Sequence, residues 1–236
     1  MLEQLKPVDT RRLYQQIADQ IRAFIQKGTY PPGTRLPPER DLAQQLGVSR
    51  PSVREALIAL EIDGSVEVRM GAGVYVCAPS ARTSQATAAM GESPSELMQA
   101  RALLEGSVAM QVCALATPET LAPLRQALED MRSAVAQQRP PLAHDRQFHL
   151  AIAALTGNAV LVRLVGELFD ERHSPISAQL REHSESSQTW ADALHEHEAI
   201  LQALERRDVL EAQTAMRAHL KASQQRWVEN SRREWA

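Results

Sequence analysis

Leu36–Leu57 reads LPPERDLAQQLGVSRPSVREAL. Pro38 sits in the first turn, where a helix tolerates proline, and Leu42 and Leu46 fall on one face of the helix that follows. Gly47 ends that helix. Ser49 is a good N-cap and Pro51 fits the first turn of a second helix, PSVREALIALEID, whose Val53, Leu57 and Leu60 face inward. Two short helices across a tight glycine turn make a helix-turn-helix. The second helix carries Arg50 and Arg54 four residues apart, on nearly the same face.

Upstream, LYQQIADQIRAFIQKG (13–28) places Leu13, Ile17, Ile21 and Ile25 at steps of four, which predicts an amphipathic helix ending at Gly28. GTYPPGTRLP is too rich in proline and glycine to continue it. Downstream, SVEVRMGAGVYVCA alternates, with Val66 and Val68 before the tip and Val74 and Val76 after it. This predicts a β-hairpin, a wing, whose tip runs from Arg69 to Gly73. SARTSQATAAMGES (80–93) has the small, polar composition of a linker. From Pro94 onward nothing reads as strand. Helices are expected at 94–116, 118–138, 142–156, 158–182, 188–205 and 208–228, broken by TPE, RPP, TGN and RRD. The fold class is therefore mostly α. A winged helix-turn-helix domain (1–79) precedes a linker (80–93) and an all-helical antiparallel bundle (94–230).

Bulk composition agrees. The 236 residues, 44% hydrophobic and 23% charged, suit a soluble globular chain able to bury a real core. Two cysteines, Cys77 and Cys113, are too few for a disulfide framework or a thiolate metal cage. No signal-peptide pattern opens the sequence and no apolar run is long enough to span a membrane, so a cytoplasmic protein without a membrane partner is expected. Net charge is −3, which by itself argues against nucleic acid. Residues 1–80, however, hold ten Lys/Arg against nine Asp/Glu, net +1, and the remainder carries net −4. Local placement decides.

The first turns of a helix in this position reach base edges and phosphates in the major groove. Here they carry Ser49, Arg50, Ser52 and Arg54, and guanidinium suits bidentate contact with guanine or phosphate. Arg40 on the preceding helix can reach the adjoining backbone. Arg69 and Gly71 belong to the wing tip, where glycine permits close approach to a groove. Together PPER, SRPSVREAL and the G-x-G of the wing resemble the winged helix of GntR-family transcription regulators over residues 11–78. The resemblance implies DNA contact through Arg40, Ser49, Arg50, Ser52, Arg54 and Gly71.

In the bundle, HDRQFHLAIAALTGN places Asp145 and His149 one helical turn apart. His197 in LHEHEAI and His219 in MRAHLKA follow much later. One carboxylate with imidazoles suits zinc, nickel or manganese. Scattered histidines are commonly surface residues, as expected for His144 and His183, and His195 projects away from His197. The later segments, with DRQFH and TGN, resemble the FCD ligand-binding domain of the FadR subfamily of GntR regulators over about 94–228. Its Asp, His, His, His pattern falls on Asp145, His149, His197 and His219. The resemblance implies a divalent metal, zinc first with nickel or manganese as alternatives, holding a small carboxylate effector. It also implies an assisting arginine at Arg101, with Arg172 and His173 as further candidates for the pocket. RRLYQQIADQI, DGSVEVRMGAGVYV and SPSELMQARALLE look closer to regulators of hexuronate use, the ExuR/UxuR type, than to fatty-acid, lactate or pyruvate sensors.

The expected function is thus a metabolite-responsive repressor, not an enzyme. A homodimer would bind a palindromic operator in double-stranded DNA and release it on binding galacturonate, glucuronate or fructuronate. Two alternatives remain: a metal-dependent hydrolase acting on a small carboxylate, and a GntR regulator with an unrelated effector.

Overall fold

The computed structural model describes residues 12–69, 71–78 and 90–234, with side chains to Arg226. Ten α-helices and one two-stranded sheet are present among them. The chain divides into two compact units, one running to Ser93 and the other from Pro94 to Arg233.

In the N-terminal unit, α1 (Leu13–Gln26) packs chiefly on α3 (Arg50–Ile62), and α2 (Glu39–Leu46) lies against α3. The buried stripe of α1 is Tyr14, Ile17, Ala18 and Ile21. Leu13, expected to face inward, is 47% exposed, because a straight helix drifts off a strict four-residue step and Tyr14 takes the inner position. Gly47 closes α2 in the left-handed conformation at φ 66°. Ser49 caps α3, its Oγ accepting from the Ser52 amide at 3.2 Å. Strands β1 (Val66–Arg69) and β2 (Gly73–Val76) pair antiparallel, with Val66 opposite Val76 and Arg69 opposite Gly73. Their valines at 66, 74 and 76 are buried while Glu67, Arg69 and Tyr75 face outward.

Of the expected linker, 80–89 lies outside the described residues. Residues 90–93 pack within the N-terminal unit: Met90 is buried, the Tyr14 hydroxyl donates to the Gly91 carbonyl at 2.9 Å, and Ser93 Oγ donates to Glu55 at 2.8 Å. An Arg12–Glu92 ion pair lies beside them.

The C-terminal unit is wholly helical among the described residues. It comprises α4 (Pro94–Val112), α5 (Ala122–Ala136), α6 (Leu142–Ala154), α7 (Ala159–Asp170), α8 (Pro175–Ser184), α9 (Ser187–Glu205) and α10 (Val209–Glu234). Val112, Leu124, Phe148, Ile152, Ile200, Leu204 and Met216 centre its core. The single helix expected over 158–182 is two helices joined by a 3-10 turn at Glu171–His173. Pro175 has no amide proton to continue α7 and instead occupies the first turn of α8. Asn158 caps α7 through bonds to the Val160 and Leu161 amides, and a Ser186–Thr189 capping box starts α9. No described helix is long and apolar enough to cross a membrane.

Candidate metal centre and nucleic-acid interface

Three helices of the bundle converge on one point. α6 contributes Asp145 and His149, α9 contributes His197 and α10 contributes His219; all four are buried, and one donor atom from each lies within 4.8 Å of the others. Asp145 Oδ1 is 3.0 Å from His197 Nε2 and 3.3 Å from His149 Nε2, and the two Nε2 atoms are 3.4 Å apart. Metal–nitrogen bonds of 2.0–2.1 Å set neighbouring ligands of a tetrahedron about 3.3 Å apart, so the spacing suits a zinc-sized ion.

Each histidine is also oriented from behind. His149 Nδ1 donates to Glu105, His197 Nδ1 to the Ala193 carbonyl at 2.6 Å and His219 Nδ1 to Glu196 at 2.8 Å. With Nδ1 carrying the proton in all three, Nε2 is the free donor, and the three Nε2 atoms face the common centre. Burial and the neighbouring His197 and His149 push the His219 imidazole down to about 3, so it stays neutral and ready to ligate. Burial opposes a charge on His149 too, yet Glu105 and Asp145 outweigh it and raise its pKa. The carboxylates that would hold a proton there are the ones that would hold a cation. Burial would raise Glu105, but Arg101 and His149 bring it to about 2.

Beside the cluster lies a cleft open to solvent, lined by Asp145, His197 and His219 together with Arg172, Trp190 and Arg226. Arg172 donates to Asp145 at 2.9 Å; Arg226 forks onto Glu196, the partner of His219. Two members of the cluster are thus tied to guanidiniums that reach the cleft, Asp145 directly and His219 through Glu196. Arg101 sits elsewhere: it is 1% exposed, pairs with Glu105 at 2.7 Å, lies over the Phe169 ring and does not line the cleft. His173 is exposed, with Nδ1 on the Asp170 carbonyl, and does not line it either. His195 is exposed, and His144 and His183 are partly exposed.

The N-terminal unit separates the arginines named from its sequence. Arg40 is exposed, and Arg50 is partly exposed with Glu39 no nearer than 3.7 Å. Ser49 and Ser52 share a hydrogen bond of 2.8 Å at the start of α3. Arg54, one turn beyond Arg50, is only 2% exposed and forks onto Glu39 of α2, with Nε at 2.8 Å from Oε1. Its geometry is that of a strut between the two helices. Arg69 donates to Glu67 at 3.0 and 2.8 Å and lies over Tyr75. Gly71 takes a left-handed φ of 68° with open space around it.

A winged helix-turn-helix and a buried Asp/His cluster in an all-helical unit now have a known counterpart. Residues 13–76 match the bacterial regulatory proteins of the gntR family and residues 96–222 match the FCD domain. The chain belongs to the GntR family. It is 42% identical over 228 residues to the Uxu operon transcriptional regulator of Escherichia coli strain K12, covering 94% of this chain and 89% of that one. It is 37% identical to the Exu regulon transcriptional regulator of the same strain, covering 90% and 83%. A solved structure described as E. coli McbR/YncC aligns over 94% of this chain and 100% of its own, at a TM-score of 0.52 and 21% identity, which speaks to the fold.

Within this GntR chain, sequence reading missed Glu196, Trp190 and Arg226, and the bond between Glu105 and His149. Glu196 adjoins His197 in HEHE, a signal that was there to find. Trp190 and Arg226 have no local signature; only the approach of α9 and α10 shows them.

Proposed function

We propose that this metabolite-responsive transcription regulator acts as a repressor, binding a palindromic operator as a homodimer and releasing it when a hexuronate enters the bundle. Residues 1–79 read DNA through Arg40, Ser49, Arg50, Ser52 and the wing; 94–230 hold the metal and the effector. Asp145, His149, His197 and His219 hold a divalent ion, zinc by spacing and donor type, with nickel and manganese as competitors. A bound ion would supply a Lewis-acidic point for a carboxylate.

The observation that carries the reading is the charge balance around the cluster. Arg101 is paired with Glu105, Arg172 with Asp145 and Arg226 with Glu196. A divalent cation adds positive charge that these pairs do not compensate, so the cleft favours an anionic ligand. Ser184, Thr189, Trp190 and Ser223 line the same cleft. The likeness to regulators of hexuronate use points the same way.

For the dimer, the outer face of α4 supports a second copy as occupant. Ala100, Leu103, Ser107 and Met110 are exposed there, Leu103 to 62%, and no exposed charge interrupts the stretch between Glu96 and Glu119. Such a face matches another like itself about a two-fold axis.

Fluorescence anisotropy on DNA from upstream of the chain's own gene tests the whole reading, at fixed salt and with each hexuronate in turn. Release by one uronate is expected, and Arg50→Ala is expected to lose about 1–3 kcal/mol per half-site with folding intact. Binding indifferent to every uronate would remove the effector assignment. Turnover of a uronate ester or lactone by the zinc-loaded protein would favour the hydrolase.

A further inference from the structure

The outer face of the wing carries a cation that sequence reading passed over. Residues 33–36 run alongside β2 and make a single bridge to it: the Gly33 amide donates to the Val76 carbonyl at 2.8 Å, the Val76 amide to the Thr34 carbonyl at 2.9 Å and the Leu36 amide to the Val74 carbonyl at 2.8 Å. Arg35 pairs with Tyr75 in this edge register. Leu36 is buried, so alternation puts Arg35 on the outer face with Tyr75, Glu67 and Arg69.

There its guanidinium lies across Gly73. A Cβ built at Gly73 would stand 2.9 Å from Arg35 Cζ and Nη2, and Gly73 has φ +103°. Any larger residue would displace the arginine. Gly73 therefore serves as a seat for Arg35 as well as a bend in the tip. The two guanidiniums of this face differ in their pairing. Arg69 is doubly bonded to Glu67, whereas Arg35 is exposed and has no acidic partner among the described residues.

We propose that Arg35 is a phosphate-contacting residue of the operator interface, seated by Gly73, and that it outweighs Arg69 there. The proposal rests on the DNA-binding reading. A bare cation fixed on a sheet edge beside the wing tip releases condensed counterions when it meets a phosphate, while Arg69 must first give up Glu67. Lysine would retain the point charge but not the flat stack on Gly73.

The test is the salt dependence of binding, by anisotropy, on a short mixed-sequence duplex and on the fragment upstream of the chain's own gene. Arg35→Ala is expected to lower the slope of log K against log salt by about 0.9 per protomer and, near 0.15 M salt, to weaken binding roughly five-fold per protomer on both duplexes. Arg35→Lys should keep the slope; Arg69→Ala should change it by less than half as much. Circular dichroism of each variant checks that the fold is retained. An unchanged slope and affinity in Arg35→Ala, a loss of affinity without a change of slope, or a larger effect from Arg69→Ala would overturn the assignment. Absence of salt-dependent binding by the wild-type chain would instead remove the DNA-binding reading itself.

Discussion

Two groups of arginines, one in each unit, are treated in opposite ways. In the N-terminal unit, Arg35 and Arg40 are left exposed without acidic partners among the described residues, and Arg50 has Glu39 only at 3.7 Å. In the bundle, the arginines around the histidine cluster are tied to carboxylates, Arg101 to Glu105, Arg172 to Asp145 and Arg226 to Glu196. Exposed cations without partners cost little in water and gain much against a polyanion. Buried ones without partners would be prohibitive. The difference teaches that cation count says little about a site; what matters is whether each charge is already neutralised.

Arg54 breaks this division, because it sits in the DNA-reading unit yet behaves like the arginines of the bundle. Cutting it away should strand the Glu39 carboxylate, which is itself buried. Arg54→Ala is expected to destabilise the N-terminal unit by about 3–5 kcal/mol. Arg50→Ala, by contrast, should move stability by no more than about 0.5 kcal/mol and act on DNA affinity. Chemical denaturation of the two variants separates the roles; equal and small effects on stability would deny Arg54 its place as a strut.

The comparison sharpens in the bundle at Glu105, which serves both Arg101 and His149. Glu105→Gln keeps an acceptor for His149 but weakens the hold on its Nδ1 proton. Zinc affinity, measured by competition with a chelator, is expected to fall about 10–100-fold. The Arg101→Met/Glu105→Gln double variant, which removes both charges together, should show the same loss and a smaller change in folding stability. Unaltered zinc affinity in both would leave Glu105 as a charge partner of Arg101 only.

How much of this could be read in advance follows from how local each feature is. The helix-turn-helix is encoded within Leu36–Leu57 by Pro38, Gly47, Ser49 and Pro51, so its outline was legible. The status of Arg54 was not, because burial depends on Glu39 of another helix. Arg35 was hidden for the same reason: GTYPPGTRLP reads as a loop, and only its bridge to Tyr75 of β2 places Arg35 on the wing. In the bundle, the one-turn spacing of Asp145 and His149 was visible, but joining them to His197 and His219 needed the family resemblance. The one-turn spacing of Arg101 and Glu105 was visible too, but the bond of Glu105 to His149, forty-four residues away, had no local signal.

The smallest effect expected concerns the border between the units. Composition makes 80–93 a linker, yet Met90 to Ser93 are bound to α1 and α3 by Tyr14, Arg12 and Glu55. Ser93→Ala removes one donor from the buried Glu55 carboxylate. Net hydrogen-bond energies put the loss at about 1 kcal/mol, and the exposed Arg12–Glu92 pair should contribute less than that. The loss should appear in the unfolding of the N-terminal unit and leave zinc affinity in the bundle untouched. If Ser93→Ala changes neither, the segment is a tether whose contacts carry no energy. If it lowers the stability of the N-terminal unit alone, Met90–Ser93 belong energetically to that unit rather than to a linker.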